Sequence, residues 1–176
     1  MALTRLYDST CPWAVPDRAR AVMPYMDGLY RWDATQLARF RSVPVFPITV
    51  EDDPAACVFD LEPGCCTIEG VAEAMNTRRR MGKASIVYCS ESPWQDNFNG
   101  FYAAGLRYGG PPSYWLIADY IVGPNAPLED EPPMPTALPI LGKRLKAVGR
   151  QYFSGPNVDG YDVSAVDLSA FPHNLF

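Results

Sequence analysis

The sequence predicts an α/β fold: a single β/α (TIM-like) barrel domain over 1–176, compressed and irregular, with some helices shortened or missing. Three observations lead there. Short apolar, β-branched runs alternate with stretches of helical pattern, the arrangement that builds a parallel sheet. The extended runs are numerous enough to favour a closed barrel over an open sheet. The chain has 176 residues, whereas β/α barrels take about 250 and seldom fewer than about 200, so several crossover helices have to shrink or disappear.

The elements follow in order. Thr4 to Asp8 reads as a strand ending in a carboxylate. Pro16 to Met23 reads as a short helix with Pro16 near its start, and Met23 to Asp27 as an extended piece closed by Gly28. Asp33 caps a helix that carries Leu37 and Phe40 on one face. Val43 to Val50 is apolar and β-branched, but Pro44 and Pro47 remove ladder donors and make this strand irregular or an edge. Ala56 to Glu62 has the pattern of the most buried strand. Thr67 then caps a helix from Ile68 to Met81, which Gly82 stops. Ser85 to Ser90 is the next strand, Ser92 to Ala104 a helix with Pro93 in its first turn, and Tyr114 to Tyr120 a further strand. The stretch 124–139 is rich in proline and acid and reads as a long loop. Ala147 to Tyr152 and Tyr161 to Ser164 supply the last strands. There is no internal repeat.

Composition narrows the function. Hydrophobic residues make up 48% and charged residues 20%, an ordinary globular mixture. No apolar run is long enough to cross a bilayer, so membrane insertion is not expected. Met1 to Thr10 contains Arg5 and Asp8 without a long apolar core and does not read as a secretory signal. A net charge of −5 argues against a nucleic-acid partner, which calls for a basic surface. The basic clusters, Arg78-Arg79-Arg80 and Lys143-Arg144 with Lys146, read as solvated faces. The five cysteines, Cys11, Cys57, Cys65, Cys66 and Cys89, are odd in number and contain no CxxC pair. They predict free thiols rather than a disulfide framework. His173 is the sole histidine, which argues against a His-based zinc site and against Ser-His-Asp or Cys-His catalysis. No metal or cofactor is expected, and carboxylates remain for acid–base work.

Asp60 and Glu62 lie two apart on one strand, so both face the same side. Pro63-Gly64 follows at once and places the pair at the strand's carboxyl end, where barrel enzymes keep their catalytic groups. Two like charges this close predict one raised pKa, and an acid beside a base is what glycoside hydrolysis requires. A capping or salt-bridging pair fits the same spacing, and both readings stand. Asp8, Asp119 and Asp162 also fall at or near strand ends. Tyr88, Trp115, Tyr120, Gln151 and Tyr152 accompany them and suit a glycan cleft. Trp115 fits core packing better, and Asp162 fits backbone bracing as well as substrate contact.

Tyr7-Asp8-Ser9, Phe59-Asp60-Leu61-Glu62, Val87-Tyr88-Cys89-Ser90, Trp115 to Tyr120, Gln151-Tyr152 and Tyr161 to Ser164 occur in the order found in family 25 glycoside hydrolases (lysozymes). The chain resembles especially the short lysozyme-like proteins of actinobacterial phages and prophages, in which a Tyr-x-Asp-Gly-x-Tyr-x-Trp segment matches Tyr25 to Trp32. The resemblance spans roughly Thr4 to Asp167. It implies cleavage of peptidoglycan glycan strands inside a β/α-barrel, without a cofactor. Glu62 would be the general acid. Asp60 would stabilise the developing positive charge or orient an acetamido group, and Asp8 and Asp162 would complete an acidic floor. Tyr88, Asp119, Tyr120, Gln151 and Tyr152 would contact substrate. The glutamine usual soon after the first strand's aspartate is not evident. Short phage relatives lie among tail genes, so the resemblance also implies a virion (phage tail) location, or the bacterial cytoplasm before assembly, and other tail proteins as partners.

Two functional readings from different classes result: a muramidase-like glycosidase acting on the cell wall, and a catalytically inactive minor tail protein that keeps the barrel for glycan binding or assembly. An intracellular barrel acting on another sugar is a third.

Overall fold

A computed structural model of the chain describes residues 2–90, 99–100, 114–122, 126–128, 132–139, 141, 146–156 and 160–176. Its strands are β1 (Thr4–Asp8), β2 (Ile48–Thr49), β3 (Val58–Asp60), β4 (Ile86–Ser90), β5 (Tyr114–Val122), β6 (Lys146–Ser154) and β7 (Asp162–Val166). They form one curled sheet in the order β1-β7-β6-β5-β4-β3-β2. The strands from β2 to β6 run parallel, and β7 is antiparallel to both β6 and β1.

This corrects the expected fold class. The molecule is a curled half-barrel of mixed sheet, not a β/α barrel with alternating helices. Among the described residues the α-helices with defined bounds are α1 (Ala34–Ala38) and α2 (Ile68–Arg80), with a single 3-10 turn at Pro12–Ala14. A parallel crossover needs a dozen or more residues, usually with a helix. The connection from Ser154 to Asp162 is too short for one, so β7 turns back antiparallel. The helix expected over Pro16 to Met23 is absent. Ala21 to Met26 is extended instead and bonds to both sheet edges: Tyr7 N of β1 donates to Ala21 O (3.1 Å) and Met26 N to Ile48 O of β2 (3.0 Å). The predicted Ser92–Ala104 helix lies largely outside the described residues, whereas the described part of the 124–139 stretch, 126–128 and 132–139, carries no strand or α-helix, as a loop should.

Several local expectations are met. The Asp33 side chain accepts from Thr35 N and Gln36 N, and Gln36 returns a bond to Asp33 N, a reciprocal cap on α1. Thr67 Oγ1 accepts from Gly70 N at 3.0 Å and starts α2. Gly82, at φ 73°, ends that helix in a conformation that a Cβ would strain. All five cysteines are free. Arg78 departs from the expected solvated face. It is buried, and its guanidinium donates to the carbonyls of Pro54, Ala84 and Leu175 and to Ser85 Oγ. That set engages all three guanidinium nitrogens through uncharged acceptors.

Alternation along each strand sorts side chains to two faces. Leu6, Val58, Ile86, Leu116, Val148 and Val166 fill the concave interior. On the outer face, Phe59, Val87, Trp115 and Ile117 pack on Val71 and Met75 of α2. Tyr7, Tyr152, Phe153 and Val163 pack on Val15, Trp32 and Phe40. Each large apolar side chain removed from water contributes roughly 1.5–3 kcal/mol, so two buried faces are what hold a sheet with so little helix.

Candidate functional site

The apolar interior gives way to polar side chains toward the carboxyl ends of the parallel strands. On β1, Leu6 is followed on the same face by Asp8; on β3, Val58 by Asp60; on β4, Ile86 by Tyr88 and Ser90. Because β7 runs the other way, its first residue, Asp162, reaches the same end and lies directly across from Asp8 in the ladder. Glu62 stands just past β3. The structure thus gathers Asp8, Asp60, Glu62, Asp162, Tyr88, Tyr120 and Gln151.

Hydrogen bonds fix this cluster. Gln151 Nε2 donates to Asp8 Oδ2 at 3.1 Å. Its Oε1 accepts from Tyr88 Oη at 2.6 Å and from Tyr120 Oη at 2.7 Å. Ser90 Oγ donates to Glu62 Oε1 at 2.7 Å, Glu62 N donates to Asp60 Oδ1 at 3.1 Å, and the Cys65 thiol also bonds to the Asp60 carboxyl. Asp162 Oδ1 accepts from Gly155 N at 3.1 Å, so it braces backbone while facing the cluster.

Burial sets the electrostatics. Asp60 is 3% exposed. Removal from water, with the Glu62 carboxylate beside it, pushes its pKa up to about 7. Burial first, with Glu62 contributing, raises Asp162 to about 6. Asp8 is raised well above the ordinary carboxylate range by burial and then by Asp162, against the lowering bond from Gln151. Near neutral pH the floor therefore retains protons among closely spaced carboxylates, which suits proton donation and acceptance at one place.

A cavity of about 300 Å³ opens beside this floor, lined by Asp8, Tyr25, Tyr30, Tyr161 and Asp162 among others. The Tyr25–Trp32 segment shapes it. Asp27 accepts from Thr49 Oγ1 and from Val50 N and so ties the segment to β2. Gly28, at φ 68°, makes the turn, and Trp32 Nε1 donates to Ser9 O at 2.9 Å. Tyr25 and Tyr30 are left at the cavity wall, with ring centroids 6.2 Å apart.

Two expected substrate contacts lie elsewhere. Asp119 sits on the opposite face of β5 from Tyr120, and its Oδ2 pairs with Arg150 Nη2 at 2.8 Å. Tyr152 likewise faces outward from β6, where its hydroxyl accepts from Arg5 Nε at 3.1 Å. In both pairs of consecutive residues, strand alternation sends one side chain in and the other out. Tyr88 is too buried to stack a sugar and acts through its hydroxyl. Trp115 is fully buried against α2. Ser90, Cys65, Tyr25 and Tyr30 also belong to the site, although the sequence pattern gave none of them a role there. Ser90 was legible as the residue two beyond Tyr88 on one strand. Tyr30 is half exposed and offers the open aromatic face that a sugar needs.

Among the described residues no group of three or more His, Cys, Asp or Glu is arranged to hold a metal ion, and no helix is long and apolar enough to cross a membrane. Comparison of the chain with protein-family models, curated proteins and solved structures finds no match in any of the three.

Proposed function

We propose that this chain is a phage-associated, lysozyme-like glycoside hydrolase acting on the glycan strands of peptidoglycan, in keeping with its resemblance to family 25. The observation that carries the reading is the convergence of Asp60 and Glu62 with Asp8 and Asp162 beside a tyrosine-walled cavity. Glu62, half-buried and held by Ser90, protonates the leaving glycosidic oxygen. Asp60 faces the oxocarbenium-like centre or orients an acetamido group. Asp8, set by Gln151, and Asp162 complete the acidic floor. Tyr30 and Tyr120 supply the accessible rings against which a sugar stacks, and other tail proteins are the partners in a virion.

A second reading, a catalytically inactive tail protein that uses the same hollow for glycan binding, draws on the deep burial of Asp60 and Asp8, which restricts a substrate's approach. Zymography on actinobacterial peptidoglycan, with mass analysis of the new reducing ends, separates the two. Cleavage lost in Glu62→Gln supports the enzyme. Binding without cleavage, across several peptidoglycans and pH values, supports the binder.

A further inference from the structure

The chain leaves the tyrosine-walled cavity along Ser9 and Thr10, both of which line it, and turns at once into the 3-10 helix Pro12–Ala14. Trp13 stands on that turn with 58% of its surface exposed, against 2% for Trp32 and 0% for Trp115. From Thr10 the backbone reaches Trp13 within about 10 Å, roughly the length of two sugar rings.

A lone exposed apolar residue is ordinary, but this one is held in a built stack. The Arg39 guanidinium carbon lies 5.2 Å from the Trp13 ring centroid and 5.0 Å from that of Phe40. Arg39 is itself fixed, donating to Pro12 O at 2.9 Å, to Val15 O at 2.7 Å, and to Asp17 Oδ1 from Nε at 3.0 Å and from Nη2 at 2.7 Å. Behind it Phe40 packs on Trp32, with centroids 5.8 Å apart, and Trp32 Nε1 donates to Ser9 O beside the cavity. Trp13, Arg39, Phe40 and Trp32 therefore form one series from solvent to the wall of the site. With Arg39 over one face of the indole, the exposed surface is the other face and the edge.

Resting on the glycoside hydrolase reading of the carboxylate floor, we propose that Trp13 is a stacking platform for the glycan strand where it extends beyond the cavity. A pyranose ring offers a flat aromatic group its apolar C–H face and carries hydroxyls at its edge. Asp17, largely exposed beside Arg39, supplies a carboxylate to accept from those hydroxyls. Because the indole is already fixed, little side-chain freedom is lost on binding.

The test uses the full chain carrying Glu62→Gln, so that strands are not cut, and calorimetric titration with peptide-free peptidoglycan glycan strands from disaccharide to decasaccharide. Affinity is expected to rise with strand length and then level off. Adding Trp13→Ala should weaken the long strands roughly two- to tenfold, the worth of one ring contact, and leave the shortest strand that binds unchanged. Trp13→Phe should keep most of the affinity, and an unaltered Tm verifies that both variants are folded. Independently, long strands should blue-shift the tryptophan emission of the parent and not that of Trp13→Phe. Equal affinity of parent and Trp13→Ala at every length overturns the platform and leaves the site reading standing. A loss of the same size at every length, the shortest included, marks a structural role and also overturns it. A parent that binds no strand overturns both.

Discussion

Gln151 holds Asp8 in one orientation: its Nε2 donates to Asp8 Oδ2 at 3.1 Å, while Tyr88 and Tyr120 both donate to its Oε1. Two hydroxyl donors on one amide oxygen leave the nitrogen no other direction. Replacement by leucine would strand three polar groups, each buried one costing about 1–3 kcal/mol. Gln151→Leu is expected to lose roughly 2–4 kcal/mol in urea denaturation, and wild-type stability would contradict this network. Gln151→Glu keeps the two tyrosine bonds but sets a second carboxylate against Asp8. Its loss of stability should grow as pH rises.

The proposed chemistry makes Glu62→Gln the decisive variant. Glutamine keeps shape and hydrogen bonding with Ser90 but has no proton to give the leaving oxygen. Turnover should fall about a hundredfold to ten-thousandfold, read as release of soluble muropeptides. Asp60→Asn should also lower turnover, most clearly above pH about 7, where the Asp60 carboxyl has lost its proton and faces the transition state as a charge. Both variants should bind glycan normally, and their Tm should hold or rise because a like-charge contact is relieved.

Stability should fall as pH rises from about 4 toward 7. Asp60 and Asp162 have folded-state pKa values of about 7 and about 6 against an ordinary 3.8. Between these limits the folded chain binds more protons than the unfolded one, so unfolding releases protons and is favoured by raising pH. Below the ordinary value both states are protonated and the contribution is fully present. The slope is at most about 1.4 kcal/mol per pH unit for each proton. Thermal melts across this window should show it, and Asp60→Asn should flatten it. A Tm that climbs with pH over the same range would refute the buried-acid floor.

Alkylation without reductant, after unfolding, should label all five cysteines. In the folded protein Cys11 and Cys65 should react ahead of Cys57, Cys66 and Cys89, which are buried. Cys65 should nevertheless be slow for a partly exposed thiol. Burial and the neighbouring Asp60 and Glu62 charges push it up to about 11, which leaves little thiolate near neutrality. Mass spectrometry over time reads the order.

Strands β4 and β5 were legible in the sequence because Ile86–Ser90 and Tyr114–Val122 are largely apolar runs, and β1 was legible less plainly, since Thr4–Asp8 holds only Leu6 and Tyr7 as apolar residues. Helices α1 and α2 were announced by Asp33 and Thr67, whose side chains act as caps. What alternating runs do not encode is strand direction. Nothing within Asp162–Val166 marks it as antiparallel; the short link before it does. Asp60 and Glu62 were found by period-two spacing. The same rule separates Tyr120 from Asp119 and Gln151 from Tyr152, pairs in which chemical suitability was given more weight than side-chain direction. The Tyr25–Trp32 segment was noticed as a motif, but its division of labour depends on Thr49, Val50 and Ser9, contacts that no local pattern contains.

The ladder between β1 and β7 has a kinetic consequence. Thr4 pairs with Val166 and Asp8 with Asp162, so β1 is made long before the strand it pairs with. At about 5–20 residues per second the delay is roughly ten to thirty seconds. Throughout that interval β1 carries an open hydrogen-bonding edge on the ribosome, with the attendant exposure to wrong partners. Non-local closure of this kind slows folding more than it alters final stability. A circular permutant that makes β7 and β1 consecutive should therefore refold faster from urea than the natural order while unfolding at a similar rate.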